Sequence, residues 1–266
     1  MKKNGVAMTF PVSRIQWILF ILLAMAPVLC GYAEAAASEV RARQIMAKID
    51  DLWRADSSRS TVEMKVVTAN YSREVLMESW TLGEEKSLVR ILSPRKEKGT
   101  VTLKSGNAIY TYLPKTDRTI RLTASMMMGS WMGSHFTNDD LVKESQLAED
   151  YLPAIIFEGE RAGKEIIEFA LDPKPEAPVV WGRIVMVVLA DNLLPVTAHY
   201  YDEDLILARS TTFSDIREMG GRQLPAILRV VPADKPDEYT ELTYREITFG
   251  IELDDSFFSL QQLRRR

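Results

Sequence analysis

The chain has 266 residues, 46% of them hydrophobic and 26% charged, with 33 Lys and Arg against 37 Asp and Glu for a net charge of −4. That balance excludes a disordered chain, a collagen-like repeat and a coiled coil, and a mildly acidic surface is a poor partner for nucleic acid. One cysteine, Cys30, excludes both a disulfide framework and a cysteine-rich zinc site.

The N-terminus reads as an address. Lys2, Lys3 and Arg14 precede an apolar run from Ile15 to Leu29, and the small residues Ala33, Ala35, Ala36 and Ala37 follow. This is the layout of a secretory signal peptide over 1–37, cleaved near Ala35 or Ala37. The run is shorter than the roughly 20 residues of a spanning helix, which weighs against an uncleaved anchor. Pro27-Val28-Leu29 ahead of Cys30 fits poorly with acylation of a lipoprotein cysteine. Cleavage removes three of the 33 basic residues and one of the 37 acidic ones, leaving a net charge of −6 and no thiol. A cysteine-free chain suits an oxidising periplasm.

The mature part, 38–266, reads as one domain. Ile45, Ile49, Leu52 and Trp53 recur at helical spacing, so a helix is expected over 39–53, capped by Ser38. The period then changes to two. Over 61–68, Val62, Met64 and Val66 alternate with Glu63 and Lys65, the pattern of a half-buried antiparallel strand. Further strands are expected at 73–82, 86–92, 99–104, 107–113 and 118–122, joined by turns such as Ser105-Gly106-Asn107 and Pro114-Lys115-Thr116-Asp117. The meander breaks at about 124–153, where Asn138 or Thr137 can cap a short helix starting at Asp139. It resumes at 154–159, 164–171, 179–190, 194–201, 205–214, 223–231 and 238–249. Asp254 or Ser256 can cap a last short helix through Phe257, Phe258, Leu260 and Leu263.

A sheet of about a dozen strands curls or closes. The few short helices leave part of one face uncovered, so an apolar cavity is expected. Met126, Met127, Met128 and Met132 cluster beside Trp131 and Phe136, interrupted by Gly129 and Gly133. Met adapts to greasy partners of irregular shape. The segment reads either as a movable lid over that cavity or as a loop packing its Met and Trp into the core.

Catalytic signatures are missing: no HExxH, GxSxG, Walker A or GxGxxG occurs, and His135 and His199 are the only histidines. Neither an enzyme activity nor a cofactor is expected. Asp139-Asp140 and Asp202-Glu203-Asp204 lack the spacing of a calcium loop, so no metal is expected either. Arg264-Arg265-Arg266 reads as a solvated tail.

Several motifs then fall in a familiar order. Ser60-Thr61-Val62-Glu63-Met64 is followed by Ser105-Gly106-Asn107-Ala108-Ile109-Tyr110-Thr111-Tyr112-Leu113-Pro114-Lys115. Gly129-Ser130, Gly133-Ser134-His135-Phe136 and Asp139-Asp140-Leu141 come next, and the chain closes with Leu253-Asp254-Asp255-Ser256-Phe257-Phe258-Ser259-Leu260. Together they resemble the LolA/LolB-like superfamily, in its outer-membrane lipoprotein-sorting branch. The resemblance implies a mainly β protein with a few helices, an incomplete, half-open antiparallel β-barrel with a helical lid. It implies a periplasmic carrier that binds acyl chains of lipoproteins or other lipids and moves them toward an outer-membrane acceptor, in association with an inner-membrane transporter of the resistance-nodulation-division type. In such carriers an arginine of an Arg-Pro pair after the third strand holds the lid. Here Pro94 is flanked by Arg90 and Arg95, and neither maps onto that position.

On this reading the inward residues that touch lipid are Val62, Met64, Val66, Met77, Trp80, Leu82, Ile91 and Tyr110 or Tyr112. The closing segment contributes Met127, Met128, Trp131, Met132 and Phe136. Two rivals stand beside the carrier: a lipid- or lipoprotein-sensing interaction module of the envelope without transport, and a structural protein with a filled interior.

Overall fold

The computed structural model describes residues 37–266 except 107, 144–146, 178, 265 and 266. Residues 1–36 of the leader expected over 1–37, Asn107 of the hairpin motif and Arg265-Arg266 of the tail lie outside the described residues. The chain forms two compact units, 1–41 and 42–266. Residues 37–41 of the first are helical; the second holds the sheet.

In the second unit α1 covers residues 42–50 and ends in a turn at 51–54. Ala42, Ile45, Met46 and Ile49 are its buried stripe. Trp53 therefore follows the helix, where the spacing predicted it inside. Thirteen strands come next, in the order the alternation predicts: β1 Ser57–Val67, β2 Ser72–Leu82, β3 Lys86–Ser93, β4 Val101–Ser105, β5 Ala108–Leu113, β6 Arg118–Arg121, β7 Tyr151–Arg161, β8 Lys164–Pro173, β9 Arg183–Leu189, β10 Pro195–Tyr201, β11 Leu207–Met219, β12 Arg222–Pro232 and β13 Tyr239–Phe249. They make one antiparallel sheet in the order β6-β5-β4-β3-β2-β1-β13-β12-β11-β10-β9-β8-β7. Its edges, β6 and β7, do not pair, so the barrel is incomplete. At mid-sheet the first strand meets the last, with Ser58 opposite Phe249 and Val66 opposite Thr240.

Between β6 and β7 lie two short 3-10 turns, α2 (Asn138–Lys143) and α3 (Leu147–Asp150). Thr137 caps α2: its hydroxyl accepts from the Asp140 N–H at 3.1 Å, while Asp140 accepts from the Thr137 N–H at 2.7 Å. This reciprocal capping box satisfies two otherwise orphaned donors. Met132 and Gly133 both take left-handed φ, 51° and 68°, which turns the chain back on itself and pairs Ser130 with Thr137. After β13, two further 3-10 turns span Asp255–Phe258 and Gln262–Arg264. Asp254 caps the first, accepting from the Ser256 N–H at 2.7 Å.

Side-chain alternation divides the sheet into an inner face, against α1, α2 and α3, and an outer face. On the inner face one cluster packs α1 on Ile167, Phe169, Leu171, Ile184 and Met186. A second joins Val62, Met64, Val66, Met77 and Ile91 to Trp131, Met132, Phe136 and Leu141. On the outer face Trp80, Leu82, Leu88, Leu103, Tyr110 and Tyr112 pack beneath Phe257, Phe258 and Leu263.

Candidate functional site

A cavity of about 160 Å³ lies over the inner face, between the α1 cluster and the α2 cluster. It is close to the roughly 150 Å³ of an engineered apolar cavity that admits benzene.

Its walls are of two kinds. Ile49 and Trp53, Phe136 and Leu141, Ile184 and Met186, and Phe213, Leu228 and Tyr244 supply apolar surface. Trp53 stacks on Phe213 and Tyr244, with centroids 6.0 and 6.2 Å away. Its indole N–H donates to the Pro225 carbonyl at 3.4 Å, which fixes the ring. The other wall is hydroxylic: Ser58 and Ser60 on β1, Ser79 and Thr81 on β2, Ser87 on β3 and Thr211 on β11. Register explains the grouping. Ser60 stands opposite Ser79 and Ser58 opposite Thr81, and Thr81 stands opposite Ser87. Residues directly opposite in an antiparallel pair share a face.

Charged groups at the rim have protein partners, although the Arg209 Nε is buried without one. Arg209, on β11, is buried with only 7% of its side chain exposed, and Asp140 of α2 has 11%. They form a bidentate pair, Nη1 to Oδ2 and Nη2 to Oδ1, both 2.6 Å. Arg209 also donates to the His135 carbonyl at 3.2 Å, and its guanidinium lies between Tyr200 at 4.3 Å and Trp181 at 4.6 Å. Burial works against the Arg209 charge, but Asp140 outweighs it and holds the group more firmly protonated than usual. Asp50, at the end of α1, accepts from the Leu147 and Ala148 N–H groups at 3.2 and 3.0 Å. Burial nevertheless pushes its carboxyl up to about 7. Arg54 donates to the Gly83 carbonyl at 3.1 Å.

Further polar contacts hold residues 130–140 down. Arg73 donates to the Met132 carbonyl and to Glu97, and the Tyr71 hydroxyl donates to the Gly133 carbonyl at 2.7 Å. The His135 N–H donates to the Thr240 hydroxyl at 2.9 Å, and its ring lies 2.9 Å from that hydroxyl and 3.3 Å from Glu238. Two arginines thus clasp the segment, from β2 and from β11. Arg90 lies on the opposite face, over Trp80 and reaching the Gln262 carbonyl.

Of the residues expected to touch lipid, Phe136 alone lines the cavity. Val62, Met64, Val66, Met77 and Ile91 do face inward, but Trp131, Met132 and Phe136 pack directly on them. Trp80, Leu82, Tyr110 and Tyr112 are on the outer face. Trp80 is three residues from Met77, and a strand puts such positions on opposite sides. Met127 is half-buried, and Met128 is 57% exposed. The lining residues that hydrophobicity passed over are Ser58, Ser60, Ser79, Thr81 and Ser87, with Asp50, Asp140 and Arg209. A signal existed for the serines. Ser58 and Ser60 continue the same alternating face as Val62, Met64 and Val66, so a face turning from bulky to small marks where packing stops.

The chain matches a protein-family profile described as "uncharacterized protein" over residues 83–265. No curated protein matches it. Three solved structures share the architecture. A DUF1329 family protein from Desulfovibrio piger is 20% identical, with 85% of this chain and 99% of that one covered and a TM-score of 0.76. An outer membrane lipoprotein-sorting protein domain from Vibrio parahaemolyticus is 21% identical, with 85% and 100% covered and a TM-score of 0.75. A LolA superfamily protein from Nitrosomonas europaea is 20% identical, with 83% and 98% covered and a TM-score of 0.71. The fold is therefore the one that these three proteins share.

Proposed function

The chain belongs to the family whose profile spans residues 83–265, and from that membership and the shared fold we propose that it is a periplasmic, non-enzymatic lipid carrier. The proposed protein is a single domain from about Ser38 onward, freed from a signal peptide over 1–37. It takes acyl chains of a lipoprotein or another lipid into the inner-face cavity and hands them to an outer-membrane acceptor, with a transporter of the resistance-nodulation-division type at the inner membrane.

The observation that carries this reading is a hollow on the inner face, roofed by a segment fastened by polar contacts as well as apolar packing. Burying a methylene contributes about 0.8 kcal/mol, so a palmitoyl chain gains roughly 12 kcal/mol. A carrier must also release its cargo. A roof that swings aside at a cost offsets part of that gain, and it makes room for a chain longer than the closed cavity accommodates. In this picture Val62, Met64, Val66, Met77 and Ile91 become the seat of the hydrocarbon once Trp131, Met132 and Phe136 lift away.

Native mass spectrometry with lipid extraction, on protein prepared gently from the periplasm, tests the proposal. A bound lipid is expected, as is uptake of acylated peptide or phospholipid by delipidated protein. Protein that carries none and takes up neither overturns the carrier reading. Replacing Met127, Met128 and Trp131 with serine is expected to impair uptake; unchanged uptake reduces the segment to packing.

A further inference from the structure

We propose that the ligand of this cavity carries a neutral hydrogen-bonding group, a hydroxyl or an ester carbonyl, on the part that it buries; this rests on the carrier reading and narrows it. Ser60 and Thr211 are 6% and 4% exposed and line the cavity. Their hydroxyls, and those of Ser79 and Ser87, make no hydrogen bond among the described residues. Ser58 and Thr81, by contrast, satisfy each other at 2.7 Å. Buried polar atoms are paired in the great majority of proteins, and those left over are satisfied by water or a ligand. A cavity meant for bare hydrocarbon gains nothing from such a wall, because each hydroxyl stripped of water and left unmatched counts against binding.

The charged groups at the rim narrow the chemistry. Arg209 is matched by Asp140, Asp50 by two backbone N–H groups and Arg54 by the Gly83 carbonyl. The Arg209 Nε alone keeps no partner, and Asp140 already balances that guanidinium's charge. Serine and threonine hydroxyls both donate and accept, so a neutral hydroxyl or carbonyl is the fitting guest. The aromatic wall of Trp53, Phe213 and Tyr244 accommodates the apolar body attached to it.

Two kinds of lipid present this group: one hydroxylated at its hydrocarbon end, and one inserting its glycerol ester end. Isothermal titration of the delipidated mature protein with palmitic acid, omega-hydroxypalmitic acid and monopalmitoylglycerol, each below its micellar concentration, separates them. At least one of the latter two is expected to bind about tenfold more tightly than palmitic acid, equivalent to 1.4 kcal/mol, and which one reports the end that enters. In the Ser60→Ala/Ser79→Ala variant the preference is expected to fall below about threefold. Thr211→Val, an isosteric change in a different strand, is expected to weaken it independently, and thermal unfolding checks that both variants fold. Equal binding of the three lipids, or a preference that survives both variants, overturns the inference while leaving the carrier reading intact. No binding of any of them, together with no copurified lipid, overturns both.

Discussion

Residues 130–140 and residues 254–264 both lie across the sheet, the first on the inner face and the second on the outer. The outer segment is held largely by apolar packing: Phe257, Phe258 and Leu263 sit on Trp80, Leu88 and Leu103. The inner one also buries Trp131 and packs Phe136 on the sheet, but it adds polar fastenings from Arg209, Arg73, Tyr71 and Thr240. Apolar packing is non-directional and fades gradually with distance. A bidentate ion pair is made or broken within a small displacement. The outer segment is thus expected to yield only with the sheet beneath it, and the inner one to respond locally to the loss of a single polar contact.

The largest way to break this contrast is Phe258→Ala. Loss of a buried aromatic ring is expected to cost about 3–5 kcal/mol, seen as a lower urea midpoint for the whole domain. Asp140→Ala comes next. It leaves Arg209 buried without its carboxylate and removes half of the α2 capping box, at a cost of about 3 kcal/mol. The expected signature is local, with hydrogen exchange rising in 131–141 before the sheet is affected; a uniform rise across β1–β13 counts against a hinged roof. Asp50 sharpens the contrast through pH. Its carboxyl titrates near 7 when folded and near 3.9 when unfolded, so between those values the folded state holds a proton that the unfolded state has released. Stability is expected to fall as pH rises from about 4 to about 7, by no more than about 1.4 kcal/mol per pH unit, and to level off above. Thermal unfolding of Asp50→Asn is expected to lose that slope. The smallest effect is Tyr71→Phe, which deletes one hydrogen bond to Gly133 for about 1 kcal/mol and is expected to raise exchange only near 131–134.

The strands were legible because alternation and turn residues act locally. The strand expected over 61–68 falls on β1, which ends one residue earlier at Val67, and Lys86 and Lys164 open β3 and β8 where the pattern places them. The site was less legible. Hydrophobicity nominates Val62 and Met64, and in the folded chain those are the residues that the roof has already covered. Arg209 and Asp140 are far apart in sequence and meet only when α2 folds back over β11. The face of Trp80 is set by its odd spacing from Met77, a rule of strand geometry that a count of apolar residues does not apply.

The pairing of β1 with β13 carries one more consequence. The seam at the middle of the sheet joins the earliest strand to the latest, so no N-terminal fragment contains it. During synthesis β1 can recruit β2 on one side, while its other edge waits for almost the entire polypeptide. Contacts this distant along the chain form slowly, and an open edge invites foreign strands meanwhile. A nascent chain therefore exposes that edge until its final strand arrives, and a deletion that reaches back into Tyr239–Phe249 divides the sheet at its centre, where loss of an outer strand removes only a margin.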